Sequence, residues 1–289
     1  MPEVTSESQK RYHTYHAEAH ALSGRLELPL NQEIHPQASA KLSDQGGYLA
    51  QQARDYRLES VISYSGAKTQ VTGQHEVKEG HGWHTLASSV VEDLNILDVI
   101  TADRVVAQAS IEYPLIGYVP KITFLGTKFE NLRIAGHPVK LDLCLDIFGD
   151  KPENDAPYTK DAGFVKRVSD QHARLRGHRN PIAELLERYN RTPESFGDPK
   201  ENGESVECSL VNQAEGGYPG RTCGHVIEVP NFGVIHLAQV RLEHKDYCPT
   251  TGVPRETYVY LNMIHAKMGC IATGQTSAAQ FVAGGHTKP

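Results

Sequence analysis

Between residues 139 and 147 the chain alternates strictly. Val139, Leu141, Leu143, Leu145 and Ile147 are apolar, and Lys140, Asp142, Cys144 and Asp146 separate them. Successive side chains of a strand point to opposite faces, so this spacing gathers the apolar groups on one face. On a helix the same residues would scatter around the cylinder. The segment therefore reads as a half-buried central strand with Val139, Leu141, Leu143 and Leu145 turned to the core. Upstream, residues 85–97, 99–113 and 121–125 also read as strands. In the second of them Val99, Thr101, Val105, Ala107, Ala109, Ile111 and Tyr113 share one face. The stretch 83–147 is β almost throughout, and the rest of the chain is organised around it.

Residues 12–22 fit two periods. As a strand they set Tyr12, Thr14, His16, Glu18, His20 and Leu22 on one face and Ala17, Ala19 and Ala21 on the other. As a helix they bring Tyr12, Tyr15, Ala19 and Leu22 together. The alternation in residues 24–29 favours strand, with a turn at Ser23-Gly24. Residues 31–41, with Pro36, read as loop, and 48–57 and 58–65 as strands. A short strand holding Val71 follows, bracketed by Ser65-Gly66 and Thr72-Gly73. Residues 75–84 read as a charged, Gly-rich exposed loop.

After the acidic connection 149–158 the period changes. Phe164, Val165, Val168 and Leu175 fit one helix face, with Thr159 or Asp161 as cap and Gly177 as stop. Asn180-Pro181 reads as a cap with proline at the first helical position, and Ile182, Leu185, Leu186 and Tyr189 continue the pattern to Thr192-Pro193. Residues 159–191 thus form a two-helix insertion packed on the outside of the β architecture. Strands resume at 206–212 and 224–229. A long hairpin, 233–243 with 256–270, turns at 247–254. The fold class is mainly β: a large antiparallel β-sandwich or barrel-like domain with a two-helix insertion. Residues 1–10 read as a flexible N-terminus, 11–282 as a single β-rich domain, and 283–289 as a flexible tail.

Composition narrows the function classes. A net charge of −6 offers no concentrated basic surface for phosphate, which argues against nucleic acid. No run of eighteen apolar residues codes a membrane span. The N-terminus lacks the basic start and apolar centre of a secretory signal, which predicts a cytoplasmic protein, or an exported one if the chain is a mature form. Cys144, Cys208, Cys223, Cys248 and Cys270 are odd in number and irregularly spaced, which favours free thiols over bridges.

No Gly-x-Gly-x-x-Gly, phosphate loop, Gly-x-Ser-x-Gly or His-Glu-x-x-His motif occurs, and no cofactor is implied by one. Three weaker constellations carry candidate chemistry. His16, Glu18 and His20 alternate on a strand face, a ligand set suited to zinc or a similar divalent cation, with His236 or His265 completing it. Cys208, Cys223, His225 and Cys248 hold zinc-type donors without knuckle spacing. The carboxylates Asp93, Asp98, Asp103, Asp142 and Asp146 offer acid–base pairs of the kind glycoside chemistry uses.

Two functions from different classes follow. The preferred one is a non-enzymatic, bacterial-like binding or assembly protein that forms a homo-oligomer and meets a carbohydrate or protein surface. It rests on long strands, 13 tyrosines and the missing catalytic motifs. Residues 86–102 contain neither lysine nor proline, the usual edge blockers, so those strands are either central or covered by another subunit through residues 12–64. The alternative is a hydrolase or lyase working in a barrel mouth or sheet groove. It requires Asp103, Asp142, His236 and His265 to converge.

Overall fold

The structure, a computed structural model, describes residues 11–75, 81–179, 182–196, 203–269 and 272–288. In chain order the first strands are β1 (Tyr12–Leu28), β2 (Gln32–Gln37), β3 (Ala40–Lys41), β4 (Gly47–Leu58), β5 (Ile62–His75), β6 (His81–Ile96) and β7 (Ile100–Pro114). β8 (Lys121–Phe124), β9 (Lys128–Glu130), β10 (Arg133–Ile134) and β11 (His137–Leu143) complete the first half. Helices α1 (Ala162–Arg176) and α2 (Ala183–Arg188) follow. The chain ends with β12 (Glu204–Ser209), β13 (Val211–Gly216), β14 (Arg221–Cys223), β15 (Val226–Val229), β16 (Gly233–Tyr247), β17 (Pro254–Gly269) and β18 (Thr273–Lys288).

These strands build two nine-stranded antiparallel sheets. The first has the order β14-β15-β16-β17-β18-β1-β2, with β12 beside β16 and β3 beside β1. The second runs β13-β11-β10-β7-β6-β5-β4, with β8 and β9 against β7. β1, β17 and β18 lie over β5, β6 and β7. The architecture is an antiparallel β-sandwich with a small helical insertion, and β6 and β7 are internal strands. Their lack of edge blockers therefore follows from their position.

The long strands of the first sheet do not keep one parity inward. Consecutive buried residues mark a switch at Ala21-Leu22 in β1, Leu237-Ala238 in β16, Met263-Ile264 in β17 and Ala278-Ala279 in β18. The pairs Gln239↔Asn262, Asn262↔Gln280 and His20↔Gln280 run straight beside these breaks, so they fall on one crease across the sheet. Ala238 and Ala279 take positive φ there, 46° and 52°. Carbonyls along the crease accept hydroxyls from β6 of the second sheet and from neighbouring β12. Ser89 donates to His20 O and Ser209 to Leu237 O, each at 2.8 Å. The crease is why Leu22 points inward although a single strand period puts it on the face of His20.

Several expectations are corrected. β1 passes Ser23-Gly24 without a turn, residues 31–41 supply β2 and β3, and β5 is one strand through Val71. Residues 81–84 belong to β6, while 76–80 lie outside the described residues. β11 stops at Leu143 and lies beside the terminal strand β13, so Val139, Leu141 and Leu143 are half-buried against the core rather than central. Residues 283–288, expected as a tail, are the end of β18, laddered to β1 and β17 on both sides. Gly284 suits that ladder and not a loose end: a Cβ there would come within 2.0 Å of Thr257 O. The N-terminal residues 1–10, Asn180-Pro181, Cys270 and Pro289 lie outside the described residues.

The helix pair is more deeply built in than its composition suggests. Asp161 caps α1 by accepting from Phe164 N at 2.7 Å. Phe164 stacks on Phe148, centroids 5.2 Å apart, and with Val168 joins the main core. Leu175, Ile182, Leu185 and Tyr189 form a second cluster with Cys223 and Val226, while Leu186 is exposed. The insertion is thus a wall of the core and not an appendage outside it.

Candidate functional site

The crease and the antiparallel register array side chains in rows on the outer face of the first sheet. Nearest the crease, Gln239, Asn262, Gln280 and His20 stand in line across β16, β17, β18 and β1. The next row is Arg241, Tyr260, Val282 and Glu18, and the one beyond it Glu243, Tyr258, Gly284 and His16. Apart from the buried Gly284, all of these residues are half-buried. Alternation forces the arrangement, because the inward partners Val240, Leu261, Phe281 and Ala19 fill the core.

The Arg241 guanidinium lies 4.0 Å over the Tyr260 ring. Its Nε reaches Glu243 Oε1 at 3.2 Å, and Lys245 Nζ lies 2.7 Å from Glu243 Oε2, which also accepts from Tyr260 OH at 3.1 Å. Burial alone would raise the Glu243 carboxyl. The Lys245 hydrogen bond, the nearby cations and the Tyr260 hydroxyl outweigh it and hold the group below its ordinary range. On β1, His20 Nε2 lies 3.0 Å from Glu18 Oε1, Lys41 approaches the other carboxylate oxygen at 3.6 Å, and the His16 ring meets Tyr258 edge-on at 5.3 Å. Burial lowers both histidines, against the pull of Glu18.

Beside these rows, the end of α2 and β12 raise a wall. Arg188 Nε pairs with Glu207 Oε2 at 3.1 Å. The groove between this wall and the floor formed by Gln239, Arg241, Tyr260, Asn262 and Gln280 encloses about 220 Å³. A second hollow of about 470 Å³, lined by Asn190, Arg191, Ser195 and Ser205, shares Arg188 and Glu207 with it. Together they form a polar channel, not a closed apolar pocket.

The wall is seated on a buried polar network. Tyr189 OH meets His225 Nε2 at 2.9 Å and accepts from Gln239 Nε2 at 3.3 Å, and the same amide lies 3.1 Å from His236 Nδ1. His172 Nδ1 accepts from Arg191 N at 2.9 Å, and its Nε2 lies 2.7 Å from Glu207 O. Burial brings His172 down to about 4 despite the hydrogen bond to Glu207 O. Gln239 thus belongs both to the floor of the groove and to the seat of α2.

The sequence-derived sites fare unequally. His236 and His265 are cross-strand partners with rings 5.7 Å apart. Asp103 and Asp142 lie exposed in the other sheet, where Asp103 accepts from Asn131 at 2.6 Å, so the four-residue catalytic set is not assembled. Their common character as polar strand positions carried no information about which sheet each strand joins. His16, Glu18 and His20 do share a face, yet His20 and Lys41 already occupy Glu18, and the three do not converge as ligands. Cys208 and Cys223 are buried in separate strands, Cys223 pointing its thiol at Leu175 O, and Cys248 sits beside Thr250 in the 247–254 turn. These three and Cys144 are free, and no zinc cage forms from them.

Among the described residues, Asp246, Glu256 and His286 do gather. His286 Nε2 lies 2.9 Å from Asp246 Oδ2, and its Nδ1 lies 3.0 Å from Glu256 Oε1. Each ring nitrogen of His286 thus faces one carboxylate at hydrogen-bond distance. With Arg255 on the other Asp246 oxygen at 2.7 Å, the group clasps the β16–β17 turn to the end of β18.

Residues 13–243 match the family described as Domain of unknown function (DUF8256). The chain belongs to that family. No curated protein matches the chain. The matched span of this DUF8256 protein covers the second sheet, the helix pair and β16 as far as Glu243, and stops before β17 and β18. No helix among the described residues is long and apolar enough to cross a membrane.

Reading by residue type overlooked Arg188, Glu207, Gln239, Arg241, Tyr260, Asn262 and Gln280. The signal available was the hairpin register: once residues 239–243 are paired with 258–262, Arg241 falls opposite Tyr260 and Gln239 opposite Asn262. What this DUF8256 face offers chemically is a set of flat amide, guanidinium and carboxylate groups, with two tyrosine rings between them. Such a set forms many directional hydrogen bonds, with the tyrosine rings as its apolar surface.

Proposed function

We propose that this chain is a non-enzymatic binding and assembly protein, self-associating, whose ligand is a saccharide laid along the outer face of the first sheet. The observation that carries the reading is the channel floor. Gln239, Asn262 and Gln280 present amides beside the Arg241–Tyr260 stack, and the Arg188–Glu207 pair stands at its side. Sugars present hydroxyls in adjacent pairs and apolar C–H faces. Amides, guanidinium and carboxylate answer the first, and tyrosine rings the second. A hollow of about 220 Å³ is smaller than the ~300–1,000 Å³ of drug-sized pockets, and suits one unit of a chain that continues past Arg188. The dispersal of Asp103 and Asp142 away from His236 and His265 removes the support for hydrolase chemistry.

Glycan-array binding followed by calorimetry on the best ligand tests this. Wild-type protein is expected to retain at least one oligosaccharide, and Tyr260→Ala and Gln239→Ala to weaken it about tenfold, equal to ~1.4 kcal/mol each. Retention of no glycan, or retention unchanged in both variants, overturns the reading.

A further inference from the structure

We infer that β4 is the assembly edge of this protein, and that its occupant is β4 of a second copy of the same chain, paired antiparallel about a two-fold axis. The inference rests on the self-association proposed above and assigns it a surface. β4 is twelve residues long and terminates the second sheet, and among the described residues no strand pairs with its far side. Residues 47–52 are exposed on both faces, with Tyr48 64% and Leu49 36% accessible. Ordering a backbone residue costs roughly 1–2 kcal/mol, and residues 47–52 recover little of it by burial. The ladder to β5 holds this half of β4 on one side, and β3 packs against the strand.

The remaining sheet ends are protected by the usual devices. β2 is six residues long and carries Glu33 and Pro36; β14 has three residues; β13 ends in Glu215-Gly216. On β12, Arg191 reaches across to Ser205 O at 3.0 Å. Short length, charge and proline are how natural sheets prevent edge pairing. β4 has none of these over Gly47-Tyr-Leu-Ala-Gln-Gln-Ala53, and becomes charged only at Arg54, Asp55 and Arg57. Asp55 also takes positive φ, 53°, which interrupts the straight edge there.

That division sets the register. Pairing Gly47 with the copy's Ala53, Tyr48 with Gln52, Leu49 with Gln51 and Ala50 with its own counterpart on the axis uses the whole uncharged segment and stops before Arg54. No charges then stand opposite each other, and one face of the joined ribbon receives both Tyr48 side chains while the other receives both Leu49 side chains. Because β4 is spent in the pairing, the assembly closes at two copies and does not extend as a filament.

Light scattering on the full chain across a dilution series reads the outcome, with Ala50→Lys and Gln51→Lys as variants. Both side chains are exposed, so neither change disturbs the fold, and circular dichroism checks this. Ala50→Lys sets two ammonium groups directly opposite each other across the axis and Gln51→Lys sets two diagonally on one face, and each is expected to raise the dissociation constant about tenfold or more. A wild-type mass of twice the 31.9 kDa chain, falling to one chain in the variants at the same concentration, supports the inference. A dimer unaffected by either lysine overturns the β4 assignment and leaves self-association standing. A single-chain mass at every concentration overturns both.

Discussion

The centre of the sandwich and the seat of the helix pair are both buried, but they are made of different chemistry. Between the sheets, Val71, Ala87, Val91, Val105, Ala107 and Ile111 meet Ala19, Ala21, Met263, Ile264 and Ala279. Under α1 and α2 the buried residues include Gln171, His172, Tyr189, His225 and His236. Gln171 makes both of its amide bonds to the backbone of Ser209, at 3.0 and 2.8 Å. The first region is held by removal of apolar area from water, which does not change with pH. The second depends on neutral imidazoles that accept as well as donate, and so on protons staying off them. These apolar contacts are therefore indifferent to pH, and the wall beside the channel is sensitive to it.

Acidification tests the contrast most strongly. Burial lowers His172 to about 4 and drives His225 well down; outside the wall, His244 on β16, stacked on Tyr158, is lowered to about 3. Their folded values lie below an unfolded value of about 6.5, so each contributes stability that is fully present above pH ~6.5 and is lost as pH falls toward the folded value. His172 alone removes on the order of 3 kcal/mol by pH 4. Urea unfolding at steps from pH 7.5 to 4.5 is expected to show a steep loss. A flat profile would mean that these histidines are charged or hydrated in the folded protein.

Truncating the middle sharpens the comparison. Ile111→Ala, at a fully buried position in β7, is expected to cost ~2–5 kcal/mol. Its stability curve should run parallel to wild type at every pH. A change in slope would show that the two regions are coupled.

The smallest expected effect is the most specific. His172→Gln removes a titrating group and is expected to cost ~1–2 kcal/mol at pH 7 through an imperfect replacement of two hydrogen bonds. The loss of stability between pH 6.5 and 4.5 should then become shallower than in wild type. An unchanged slope assigns the acid sensitivity to His225, His244 or the carboxylates instead.

Much of the β framework was legible in the chain because alternation is a local signal. Residues 85–96, 100–113, 233–243 and 256–269 lie in β6, β7, β16 and β17. The cap at Asp161 and the stop at Gly177 were equally local, since a side chain three residues away can satisfy a helix end. Where the reading failed, the cause was a partner distant in sequence. Residues 283–288 look loose by composition, and become strand because β1 supplies a ladder from the other end of the chain. The candidate site was the least legible part. Gln239, Asn262, Gln280 and His20 are unremarkable singly, and only the pairing of four strands makes them a row.

The sequence by itself determined that this protein is a β-sandwich or barrel with two helices inserted once, because strand and helix periods are written in neighbouring residues. The tertiary structure decided that the sandwich is open and creased, that β6 and β7 are internal and β4 is bare, and that Asp103 and Asp142 sit in a different sheet from His236 and His265. Sheet order and inward parity are set by which strands pair and where their ladders step. Those are energies of the assembled whole that no single segment contains.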